Sequence, residues 1–125
     1  MPLMSIHLEL GRTREAPQGD PRHGYELVAP LDRHGHLNAE LWGTQKANCT
    51  VRSFRPGQGE RKGLLRHVGR GWRFDYQPDR KEDDEPLFKL DQHVIAPGLY
   101  ITISEDDGVQ RPFKIVAVTP AKVTA

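Results

Sequence analysis

A single cysteine, Cys49, in 125 residues excludes an internal disulfide framework and a cysteine-rich zinc site, and makes a reducing compartment the simpler setting. As a lone thiol, Cys49 is read as inert packing. No apolar run approaches the roughly 20 residues of a membrane helix. The N-terminus, MPLMSIHLELGRTRE, places polar residues at every second position, where a signal peptide needs a continuous apolar core. The expectation is a cytoplasmic protein with no membrane contact. Also missing are an internal repeat, a βαβ alternation, a Gly-x-Ser-x-Gly elbow, an H-E-x-x-H helix and a C-x-x-C pair. These gaps argue against a doubly wound nucleotide fold and leave nucleophilic catalysis and zinc chemistry without a local signal.

Short stretches of two-residue alternation run through the whole chain. Met4, Ile6, Leu8 and Leu10 alternate with polar neighbours, as do Tyr25, Leu27, Ala29 and Leu31, with Pro30 near a strand end. Trp72, Phe74 and Tyr76 share one face while Arg73 and Asp75 share the other. Leu99 to Ser104 and Phe113 to Val118 flank Glu105-Asp106-Asp107-Gly108, which reads as a hairpin entered from the Pro97-Gly98 corner. Further strands are expected around Cys49 to Phe54, over Leu64 to Val68 and at Phe88 and Leu90. The only helical segment is Leu37 to Ala47, with Leu41 and Trp42 near one face and Asn38 or His36 at its start. Residues 11–22, 56–63 and 77–86 are polar, rich in glycine and proline, and read as loops. The pattern predicts an all-β, mainly antiparallel fold, a small barrel or sandwich of about eight short strands with one short helix. Residues 1–120 form one domain, and 121–125 a frayed tail. The expected core is Ile6, Leu8, Leu27, Leu41, Trp42, Val51, Leu65, Trp72, Phe74, Phe88, Leu90, Ile103, Phe113, Ile115 and Val116, with Tyr100 or its neighbours Leu99 and Ile101.

Charge is balanced overall, at 18 basic and 17 acidic residues, yet arranged in blocks. Arg52, Arg55, Arg61, Lys62, Arg66, Arg70 and Arg73 face Glu60 alone, and an acidic block from Asp75 to Asp91 follows. Two such blocks can fold against each other and cancel. Interleaved with Phe54, Trp72 and Phe74, the arginines Arg52, Arg55, Arg66, Arg70 and Arg73 form the pattern of a surface for single-stranded nucleic acid, guanidinium groups on phosphate and rings on bases. Against it stands core packing, since a strand face that buries Trp72 and Phe74 cannot stack bases. Six histidines raise a metal reading through His34 and His36, with a third ligand from His7, His23, His67 or His93, but no ligand motif accompanies them and no metal is assigned. His93 near Asp83, Asp84 and Glu85 could act as a general acid or base; a half-exposed histidine beside a solvated charge run is the plainer reading.

Pro97-Gly98-Leu99-Tyr100-Ile101-Thr102-Ile103 resembles the PGQYVTI strand of the ferredoxin-reductase-like flavin-binding β-barrel, and Arg111-Pro112-Phe113-Lys114-Ile115 is similar to that family's RxYS motif. The resemblance implies Arg111 on a flavin phosphate and Phe113 on the isoalloxazine ring, with Lys114 where the family has serine. The chain as a whole resembles a small bacterial all-β family without an assigned activity, which implies no residues. The reading favoured by the sequence is a non-enzymatic binding or interaction domain, without a cofactor, that uses its loop surface for a protein or small ligand. Two alternatives stay open: nucleic-acid binding through residues 52–74, and a flavin-type barrel. An exposed strand edge offers a homodimer contact.

Overall fold

The computed structural model describes residues 3–68, 71–76, 94–105 and 107–121, together with the backbone of 85–87. Its strands follow one another as an antiparallel meander: β1 (Leu3–Leu10), β2 (Asp20–Pro30), β3 (Thr50–Arg55), β4 (Gly59–Val68), β5 (Gly71–Asp75), β6 (Glu85–Leu87), β7 (Tyr100–Ser104) and β8 (Gln110–Pro120). Because β8 returns to pair with β1, seven strands make one strongly curled sheet running from β7 through β8 and β1 to β5. The three-residue β6 bridges its two margins and closes the barrel, meeting β7 at one residue pair, Leu87 and Ile103. Of the two architectures left open by the sequence, the chain adopts the barrel.

Alternation decides what fills it. Ile6, Leu8, Leu27, Val51, Leu65, Phe74, Ile101, Ile103, Phe113 and Ile115 are all buried. Tyr25 stands among them, its ring 5.0 Å from Phe74 and 5.1 Å from Phe113, centroid to centroid. An eight-strand barrel is just wide enough for side chains to fill, and these three rings occupy its middle. At Gly24 the sheet has no room for a side chain: an added Cβ would lie 2.0 Å from the Leu8 carbonyl oxygen on β1.

Several expectations need correction. Leu99, Tyr100 and Val116 are exposed, so β7 contributes Ile101 and Ile103 to the core while Tyr100 takes the outer face. The helix is shorter than Leu37 to Ala47: α1 covers Ala39–Thr44 and a 3-10 turn follows at Lys46–Asn48. Asn38 caps α1 by accepting the Leu41 N–H at 3.1 Å. No residue of α1 is fully buried; Leu41 and Trp42 are half-buried, and Trp42 packs edge-on against Trp72 and His67. Strand β4 begins five residues before Leu64, because pairing with β3 aligns Lys62 with Arg52 and Gly59 with Arg55 even though this stretch has no apolar face. Glu85 and Pro86 belong to β6 rather than to a loop. The expected strand at Phe88 and Leu90 lies outside the described residues, as does the tail 122–125.

Candidate functional site at the loop end of the barrel

In a meander every odd-to-even connection lies at the same end. The loop 11–19, the turn 56–58 and the turn after β7 therefore share one end, and α1 belongs to the other. Four strands reach the loop end with polar residues in inward register. His23 and Tyr25 precede Leu27 on β2, Arg55 follows Val51 and Ser53 on β3, Glu105 follows Ile101 and Ile103 beyond β7, and Arg111 precedes Phe113 and Ile115 on β8. Two-residue periodicity thus carries each of them past the end of the apolar core and aims it at the barrel axis.

They meet at Glu105, whose side chain is 1% exposed. Its Oε2 accepts from the Tyr25 hydroxyl at 2.7 Å, from Arg55 Nη2 at 2.7 Å and from His23 Nε2 at 2.9 Å. Its Oε1 accepts from Arg111 Nη1 at 2.8 Å. His23 can donate only if Nε2 carries hydrogen, so the 3.3 Å approach of Arg55 Nε to the same nitrogen is a neighbour contact rather than a second bond. Burial by itself would push the Glu105 carboxyl up. The hydrogen bonds from His23 and Tyr25, the charge of His23 and the bond from Arg55 outweigh it and bring the carboxyl down to about 2. Arg111 also holds Asp107 through Nη2 at 2.8 Å, and that bond brings Asp107 to about 2 and pushes the Arg111 guanidinium up. The hairpin turn is fixed separately: Gly108 has a φ of 81°, and the Glu105 N–H donates to the Val109 carbonyl at 3.0 Å.

Chemically the cluster is a plug. A carboxylate already bonded to four donors and ionised throughout the physiological range is a poor proton acceptor and has no proton to give. What it does is tie the ends of β2, β3, β7 and β8 together, so that the loops above stand on a rigid rim. Beside the plug, between loop 11–19 with the start of β2 and the β7–β8 pair, lies a cleft of about 430 Å³. Tyr100, half exposed, lies close over Gly11: a Cβ on Gly11 would be 2.9 Å from its ring. Arg12 and Lys114 also line this cleft, and neither forms an ion pair among the described residues. The cleft's two acids are occupied, Glu9 by His7 and Asp20 by Arg22.

The residues singled out from the sequence are distributed differently from either motif. Arg55 and Arg111, drawn from two unrelated readings, converge on Glu105. Phe113 is fully buried beneath His23 and Tyr25, and Lys114 points outward opposite Tyr100. Arg52, Arg66 and Arg73 lie on the outer face of β3 to β5; Arg52 binds Glu60 at 2.7 Å and Arg66 binds Asp75 at 2.8 Å. Trp72 and Phe74 are buried, and Phe54 stacks with His7 and lies 5.3 Å from the Arg52 guanidinium. Arg70, His93, Asp83 and Asp84 lie outside the described residues, and only the backbone of Glu85 is described. The backbone N–H groups of His34 and His36 both donate to Asp32, forming a local turn. Sequence reasoning missed Tyr25 and Glu105, and took up His23 only as a candidate metal ligand. A signal for them existed, since each continues the alternation of an apolar strand by one step, but Glu105 was read as turn. No protein family, curated protein or solved structure matches the chain, and the site is interpreted from its own geometry.

Proposed function

We propose that the protein is a non-enzymatic binding domain that uses the loop end of its barrel to hold an anionic ligand. The observation that carries this reading is the saturated Glu105: the one extensive buried polar cluster among the described residues has its acceptors occupied, so it braces the rim instead of reacting. On the outer face below that rim the charges of the cleft left unpaired among the described residues, Arg12 and Lys114, are positive and flank an exposed aromatic ring. Calorimetric titration with inorganic phosphate, an acidic peptide and a labelled oligonucleotide tests it at low and high salt. Binding of at least one probe that weakens with salt is expected, and replacing Arg12 or Lys114 with alanine should weaken it about fivefold each, the value of about 1 kcal/mol for a contact charge in water. Absence of binding by all three at low salt would refute the reading.

A second reading, single-stranded nucleic acid on the outer face, is favoured by one feature. Register places Lys62 opposite Arg52 and Arg73 opposite Arg66, which gathers basic side chains on this face although Glu60 and Asp75 pair with Arg52 and Arg66. With Trp72 and Phe74 in the core, such binding would rest on phosphate contacts. Oligonucleotide affinity lost in Arg52→Ala with Lys62→Ala, but kept in Arg12→Ala with Lys114→Ala, would select this face.

A further inference from the structure

On the flank of the barrel, away from the rim, Asp75 is an aspartate whose burial is not matched by its bonding. Its side chain is 4% exposed. Oδ2 accepts from Arg66 Nη1 at 2.8 Å, while Oδ1 is buried with no hydrogen-bond partner among the described residues. A carboxylate oxygen removed from water without a donor is costly, and native structures rarely retain one without a water, ion or ligand to satisfy it. Asp75 lines a cleft of about 460 Å³ between the helical segment and β4, together with Trp42, Lys46, Leu64, Arg66 and His67, within the usual size range of small-molecule sites. One side of that cleft is apolar, with Leu64 39% exposed and Trp42 half-buried. Trp42 is fixed in place by its Nε1 bond to the Leu65 carbonyl at 2.8 Å. The other side is charged: Lys46 Nζ sits 5.0 Å from the Trp42 ring centroid, and the Arg66 side chain, 42% exposed, lies over Asp75.

We propose that this cleft binds a free α-amino acid with an apolar side chain. An adjacent carboxylate and guanidinium are the complement of an α-amino acid's adjacent ammonium and carboxylate. The ammonium supplies the donor that Oδ1 lacks. The ligand's carboxylate pairs with Arg66, which swings outward from its exposed position and so uncovers the Asp75 carboxylate, and the side chain covers Leu64 and Trp42. A ligand carrying only a cation would be repelled by Lys46 and Arg66, and one carrying only an anion would leave Oδ1 unsatisfied, so both charges are required. This site is independent of the rim, and the failure of either reading leaves the other standing.

The test is calorimetric titration of the whole protein with L-leucine and L-phenylalanine, beside N-acetyl-L-leucine and L-leucinamide, which each lack one charge. Saturable binding of the free amino acids is expected, with the blocked forms weaker by about tenfold or more, as for loss of a charged hydrogen bond. Arg66→Ala, at an exposed position, should weaken binding by about fivefold or more while circular dichroism reports an intact fold; Asp75→Asn should weaken it further if it folds. The proposal is overturned if no free amino acid binds at millimolar concentration, if the blocked forms bind equally well, or if Arg66→Ala leaves affinity unchanged. It is overturned equally if a crystal grown with L-leucine shows only a buried water on Oδ1.

Discussion

Replacing Glu105 with glutamine keeps the shape of the plug and removes its charge. Tyr25, His23, Arg55 and Arg111 would then surround an amide with one acceptor oxygen in place of two charged ones. Two routes give the size of the loss. A carboxyl brought from 4.5 to about 2 by folding contributes about 3 kcal/mol at neutral pH. Removing one partner of a buried ion pair costs about 3 to 5 kcal/mol. With a urea dependence of about 1.5 kcal/mol per molar, the unfolding midpoint at pH 7 should fall by about 2 M. The sign of the pH dependence follows from the depressed value. The stabilisation is fully present above the unfolded value of 4.5 and is lost as pH falls through the folded value of about 2, whereas Glu105→Gln lacks it at every pH. The gap between the two proteins should therefore shrink to less than half at pH 3. Urea titrations followed by tryptophan fluorescence at pH 7 and pH 3 measure both quantities. A gap below about 0.5 kcal/mol at pH 7, or one of equal size at both pH values, would show that the cluster is not the brace described above.

Two further outcomes follow from packing. Gly24→Ala forces a Cβ against the Leu8 carbonyl and should cost about 3 kcal/mol or more, whereas Gly57→Ala, with φ at 77° but open space around it, should cost only about 1 to 2 kcal/mol; thermal unfolding that ranked them the other way would refute the close β1–β2 approach. Cys49 is fully buried, and burial pushes its thiol to about 11. Its reaction with a disulfide reagent at pH 7 should be at least about 100-fold slower in the native protein than in urea, and comparable rates would contradict an inert core thiol.

The role of Glu105 shows how far the sequence could be read. Ile101 and Ile103 were legible as inward positions, and one more step of two reaches Glu105. A buried acid is, however, a poor inference when Asp106, Asp107 and Gly108 beside it announce a turn, and both readings are true: the backbone at 105 begins the turn while the side chain points inward. The same step reaches His23 before Tyr25 and Arg111 before Phe113. Tyr100 failed for the opposite reason, because an aromatic residue in an apolar run reads as core although its parity is that of Lys114 across the ladder. Strand β4 was legible only in its second half, since residues 59–63 acquire strand geometry from pairing with β3 and carry no apolar period of their own.

What the sequence determined is everything local and periodic: alternation, the turns at Gly57 and Gly108, the Asn38 start of the helix, and the absence of any covalent cross-link or apolar span. These depend on backbone geometry and on which side chains leave water, and both are written into neighbouring residues. Closure was decided by tertiary structure alone. Only when β8 returns to β1 do the ends of β2, β3, β7 and β8 stand around one axis, bringing Arg55 to a glutamate 50 residues away in the chain and His23 to the same oxygen from 82 residues away. A carboxylate is held near 2 in the interior because four donors from three strands converge on it, and no window of sequence contains more than part of that set.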